Sequence, residues 1–315
     1  MARYLVYGFM LMGLIANVAH SKVNNTLFST YSEEPKKDKI QRIEAALSSD
    51  SEGRLYLLKL RLAELLWNRR SVKLYKESLN SKNREVRMIA LCGLTLLEFT
   101  KDRKLSLVSR WKQVDQENAL PYYLMANREF NADHLEKGFT FMKKGNSRKE
   151  ACFRTVFSLL RDSLPDRINR KQHFCALAEF SDRMMSLYSV FRALGRNMMR
   201  LGRISSGTKM AEARRQTMTL GRHVACGEPL APVKFMTGLA ISLIACNSDE
   251  KKTNGAVGIF DSGLNDVRER IKSMYRRIAE RVNSRKESKS RYTLHIDLLQ
   301  KLSQQYTSLW KRNVH

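Results

Sequence analysis

Proline and glycine are scarce in this chain, 5 and 15 among 315 residues. So few turn formers do not suit the many tight connections of a β-sandwich or barrel, whereas long helices with short links need little of either. Acidic residues are also few beside basic ones, 31 against 57, which leaves a formal charge of +26. Sustained period-two alternation is missing throughout, so no sheet is expected. Catalytic signatures are missing too. There is no H-E-x-x-H, no G-x-S-x-G elbow, no Walker-type loop and no dinucleotide fingerprint. The histidines (His20, His134, His173, His223, His295, His315) stand apart from one another. No C-x-x-C pair is present, so neither a zinc ribbon nor a thioredoxin-type site is supported. Neither catalysis, nor a cofactor, nor a metal is expected from these residues.

What is there begins with an apolar N-terminus. Arg3 precedes an apolar run from Tyr4 to about Ala19, and Ala19-His20-Ser21 places small residues at the two positions a signal peptidase inspects. Residues 1–21 therefore read as an export signal, which predicts a periplasmic or secreted protein; an uncleaved N-terminal anchor is the alternative. Removing 1–21 takes away only one basic residue, so the charge excess persists. No membrane span is expected afterwards. The apolar run Val233–Cys246 is about 14 residues, short of a span, and Lys234 interrupts it.

An oxidising compartment permits disulfides. Cys226 and Cys246 bracket the turn G-E-P-L-A-P and the helix after it; Cys152 and Cys175 flank the Pro165 turn. Either pair is a candidate bridge, and Cys226 with Cys246 is the one singled out. Cys92, within I-A-L-C-G-L-T-L-L, reads as a buried thiol.

Residues 22–35 read as a polar linker, 36–246 as a helical-repeat domain, 247–264 as a loop, and 265–315 as a C-terminal helical pair that caps or continues it. Leu55, Leu58, Leu62, Leu65 and Leu66 recur at three-and-four spacing, and Val86, Met88, Ile89, Leu91, Leu94, Leu96 and Leu97 make the next helix apolar nearly all round in its second half. Further helices are expected over 105–114, from Ala119, over 148–161, 172–203, 208–226 and 233–246. Asn118 is placed to cap the helix that carries Pro121 in its first turn. The fold class is all-α, built of stacked helical hairpins.

One stretch supports a more specific comparison. In Trp111–Gly145, Asp115-Gln116-Glu117-Asn118 forms a turn, Tyr122 is an aromatic early in the next helix, Met125-Ala126 follows it, and Gly138 lies where a second helix would cross. This resembles one unit of the tetratricopeptide family, α-solenoids whose helix pairs repeat about every 34 residues. Met88 and Leu91-Cys92 echo the pattern one period earlier, while Leu159-Leu160 loses it one period later. The resemblance implies stacked hairpins whose concave surface binds a protein or peptide, with Tyr122, Met125, Ala126 and Gly138 as packing residues.

Arg192, Arg196 and Arg200 recur every four residues and stack along one helix face, with Met198 and Met199 interleaved. Two arrangements fit: a cationic surface for an anionic or acidic partner, or arginines in solvent with methionines in the core. The leading expectation is an exported scaffold that binds a protein or peptide partner without catalysis. The alternative is a polyanion binder (anionic envelope lipid, glycan or nucleic acid) acting through net charge.

Overall fold

A computed structural model describes residues 26–32, 34–49, 55–102, 105–163, 170–205, 208–227 and 230–246, parts of 269–276, and 298 and 300–308. The expected signal at 1–21, the loop at 247–264 and much of the C-terminal pair lie outside the described residues. The described chain is all-α, with sequence-adjacent helices packed against each other. Among the described residues the single β feature is an isolated bridge between Asn118 and Glu150. The helices are α1 (Lys36–Ser49), α2 (Leu55–Leu66), α3 (Arg69–Ser78), α4 (Arg84–Asp102), α5 (Val108–Val114), α6 (Leu120–Asn131), α7 (Leu135–Asn146), α8 (Val156–Ser163), α9 (Arg170–Ser205), α10 (Thr208–Cys226) and α11 (Pro232–Cys246). None of them is long and apolar enough to cross a membrane.

Where the sequence suggested one domain over 36–246, the chain forms two compact units. The first comprises residues to Asp102 together with Arg154–Ala176. Its centre is α4, buried almost all round through Ile89, Leu91, Leu94 and Leu97. Gly93 lets α4 approach α3, since a Cβ there would lie 2.4 Å from the Tyr75 ring. Helix α3 starts at a capping box in which Asn68 and Ser71 exchange side-chain and backbone hydrogen bonds.

Two features of this unit depart from the sequence reading. Residues 22–35 were expected to be a polar linker, yet Leu27, Phe28, Thr30 and Tyr31 are buried, with 26–29 forming a helical turn. The cause is Arg61, fully buried on α2. Its Nε donates to Thr30 Oγ1 at 3.0 Å, Nη2 donates to the Thr30 carbonyl at 3.1 Å, and the guanidinium stacks on Tyr31 at 3.9 Å from the ring centroid. Glu64, one turn along, lies 3.5 Å from Arg61 Nη1, and its other oxygen accepts the Val156 N–H at 2.7 Å. That carboxylate caps α8 at its first residue.

The second departure concerns the start of that helix. A helix was expected over 148–161, but α8 begins at Val156. Asn118 explains the extended stretch before it, which like Asn118 belongs to the second unit: its side chain accepts from Cys152 N and donates to the Cys152 carbonyl, while Ala119 N donates to Glu150 O at 2.7 Å. These bonds occupy backbone groups that a helix would have needed.

The second unit comprises Arg103–Phe153 and Leu177–His315. Here α6 and α7 form a hairpin closed by a turn in which Asp133 has a left-handed φ of 57°. Helices α10 and α11 form a second, closer hairpin. A Cβ on Gly221 would lie 2.8 Å from the Gly238 carbonyl oxygen, and one on Gly238 would lie 2.4 Å from the Gly221 carbonyl oxygen. Only glycine permits that backbone approach. Met274, Leu302 and Tyr306 pack into the same core as Phe235 and Leu239, so described parts of the C-terminal region belong to this unit.

Candidate partner-binding surface

Helix α9 separates apolar and basic residues around its circumference. Within the second unit it buries Phe180, Leu187, Phe191, Leu194 and Met198. Gly202 lets it approach α10, where an added Cβ would meet Ala213 at 2.9 Å. The opposite side is solvent. Met185, Ser189, Arg192, Arg196, Arg200, Arg203 and Ile204 are all exposed there. At about 100° per residue these positions fall within roughly one third of the helix circumference.

The arginines predicted as a site thus form one continuous row, and Met198 and Met199 beside them are buried. Exposed arginines beside buried Met198 and Met199 are compatible with both arrangements, since a cationic surface for a partner also faces solvent. Arg203 extends the row to four. Arg200 meets Asp133 of the α6–α7 turn at 3.8 Å, with both side chains largely exposed. Among the described residues, no carboxylate stands within ion-pair distance of Arg192, Arg196 or Arg203. On the neighbouring helices α7 and α10, Lys209 meets Glu136 at 2.8 Å, Arg215 meets Glu212 at 2.6 Å, and Lys143 meets Glu212 at 3.8 Å. Burial opposes ionisation of Glu212, but donors from Gln216 and Arg215 hold its carboxyl below the usual range.

Beneath this surface a buried polar chain joins α6, α7 and α10. Arg222 Nη2 lies 3.1 Å from His223 Nε2, and His223 Nδ1 lies 2.7 Å from the Tyr123 hydroxyl, itself 2.7 Å from Asn146 Oδ1. A guanidinium only donates, so His223 Nε2 must accept and the proton sits on Nδ1. Nδ1–H then donates to Tyr123, whose O–H donates to Asn146. The Asn146 amide donates to Gln216, whose amide donates to Glu212 at 2.8 Å. Burial, with the Arg222 charge beside it, pushes His223 down to about 3, and burial raises Tyr123 well above its ordinary value. Both groups stay neutral near pH 7 and fix the position of the helices that flank α9.

The residues predicted to pack a repeat have local roles in the same hairpin. Gly138 lies against Phe130, where a Cβ would be 2.6 Å from the ring, and Ala126 is fully buried. Met125 is half-buried. Tyr122 sits between two cations, Lys112 at 5.0 Å and Arg148 at 4.8 Å from its ring, and takes a hydrogen bond from Arg148 at 2.8 Å.

Cys226 and Cys246, the predicted disulfide, are both free thiols, as are Cys92, Cys152 and Cys175. The antiparallel register explains why this pair does not close. Gly221 faces Ser242 and Gly238 faces Ala225, which sets Cys246 opposite the region of residue 217. The two thiols are therefore roughly 13 Å apart along the hairpin, beyond the reach of a bridge.

Sequence spacing found the arginine row. It missed Met185 and Ile204, which stand 55% and 65% exposed on the same face. A methionine and an isoleucine in a helix read as core, and only the packing shows otherwise. The described residues include no group of three or more His, Cys, Asp or Glu side chains placed to hold a metal ion. Comparison of the chain with family models, with curated proteins and with solved structures finds no match.

Proposed function

We propose that this protein is an exported, non-catalytic helical scaffold that binds an acidic partner through the solvent face of α9. The observation that carries the reading is the row Arg192, Arg196, Arg200 and Arg203, exposed on one face, three of the four without a carboxylate partner among the described residues. A solvated surface needs no such row, and the lysines and arginines named on α7 and α10 are matched by carboxylates. Arginine suits the role because its planar fork meets carboxylates in a paired geometry. A tetratricopeptide-like architecture is part of the proposal; the α6–α7 hairpin, with Gly138 at its close approach, supports it. Export rests on the N-terminal pattern Arg3, Tyr4–Ala19 and Ala19-His20-Ser21.

Titrating the full chain with polyglutamate across a salt series tests the proposal. The expected outcome is binding at low salt that weakens steeply as salt rises. Absence of binding at low salt contradicts it. Polyglutamate binding that persists in molar salt would also contradict a charge-based surface. The alternative, a polyanion binder of phosphate or sulfate chemistry, is favoured instead if a phosphate polymer or sulfated glycan binds far more tightly than polyglutamate at equal charge.

A further inference from the structure

We infer that the acidic partner of α9 is itself a helix of about 20 residues, carrying a row of carboxylates between two apolar ends. The inference rests on the proposed function and adds the partner's shape and chemistry. Its basis is the company the arginines keep. Among the described residues three large apolar side chains are exposed, and two of them, Met185 and Ile204, lie on this face at either end of the arginine row. They are roughly 28 Å apart along the helix. The row between them steps by four, four and three residues, the spacing at which one face of a second α-helix repeats its own side chains.

Other occupants fit less well. A phosphate polymer or sulfated glycan engages the guanidinium groups and leaves both apolar ends in water. Single-stranded nucleic acid gains from aromatic platforms, and no aromatic side chain is among the large exposed apolar groups described. A second copy of this chain docked by the same face would set arginine row against arginine row at a net charge of +26 each. An acidic helix answers both features at once. Asp133 already shows a carboxylate reaching the row, at Arg200. Exposed ion pairs are individually weak, so the charges set register and direction while the apolar ends add affinity.

The test uses the full chain and labelled alanine-based helical peptides. The patterned probe carries four glutamates spaced by four, four and three residues, with a leucine near each end; the control has the same composition with the glutamates scattered around the helix. The patterned peptide should bind about tenfold more tightly than the scattered one. It should lose at least tenfold on Arg192→Glu/Arg196→Glu/Arg200→Glu, and several-fold on Met185→Ser/Ile204→Ser, with circular dichroism unchanged. If the triple glutamate variant loses helicity, the corresponding triple glutamine variant takes its place. Equal binding of the two peptides, salt-sensitive and lost in the arginine variant, overturns the helical partner while leaving an acidic partner standing. Tighter binding of polyphosphate than of the patterned peptide also overturns it. If neither peptide nor polyglutamate binds the unaltered chain, both this inference and the proposed function fail.

Discussion

Arg61 in the first unit and His223 in the second each lie buried within a polar cluster, and neither stands out in the sequence. Arg61 lies in a leucine-rich stretch and reads as an ordinary helix-surface charge. In the structure it is wholly buried, stacked on Tyr31, bonded to Thr30 and beside Glu64. Removing one member of such a group strands the other in the core. Arg61→Ala is therefore expected to destabilise by about 3–5 kcal/mol, measured as the shift in urea unfolding. A loss under about 1 kcal/mol would show that the site is solvated rather than buried.

His223 makes a different prediction. Its folded-state value of about 3 lies below the ordinary 6.5, so between those values the unfolded chain takes up a proton that the folded chain refuses. Its contribution to stability is complete above pH 6.5 and is lost as pH falls toward 3, at up to about 1.4 kcal/mol per pH unit. Between pH 7 and pH 5 the natural chain should lose about 2 kcal/mol more than His223→Gln, whose amide does not titrate. Parallel pH profiles for the two proteins would remove the account of the Arg222–His223–Tyr123 chain.

Helices were largely legible in the sequence because their evidence is local. Thr208–Cys226 was read directly from its pattern, and the onset of α4 at Arg84 from its apolar spacing. What escaped was set by distant partners. Arg61 buries 26–31, and Asn118 keeps the chain around Cys152 extended, across more than 30 residues in each case. Helix α3, R-R-S-V-K-L-Y-K-E-S, carries only three apolar side chains, Val72, Leu74 and Tyr75, and the capping box of Asn68 and Ser71 marks its start.

Glycines separate two kinds of helix contact. At Gly238 an added Cβ meets backbone atoms of Gly221 and Ala225, which cannot swing aside; at Gly138 it meets the Phe130 ring, which can turn. Alanine in a helix interior gains roughly 1 kcal/mol over glycine, and overpacking costs about 1–3 kcal/mol or more. Gly238→Ala should thus lower the unfolding midpoint clearly, and Gly138→Ala should be milder. The reverse order would mean that the α10–α11 hairpin is looser than described.

At the scale of the whole molecule, the charge of +26 is diffuse in sequence, and four of its arginines share the exposed face of α9. Composition shows that anionic company is favoured but says nothing about where. The candidate site was half legible. Four-residue spacing picked out Arg192, Arg196 and Arg200, whereas Met185 and Ile204 became visible only once α9 was seen to leave that face uncovered. The account therefore places binding in one face rather than in net charge. The most direct measurement compares two triple reversals that change net charge equally. Arg192→Glu/Arg196→Glu/Arg200→Glu alters the α9 face, while Lys36→Glu/Lys37→Glu/Arg69→Glu alters exposed positions of the first unit. Titrated with polyglutamate at low salt, the α9 variant should bind at least tenfold more weakly than the unaltered chain, and the control should lose little. Equal losses in the two variants would contradict the account.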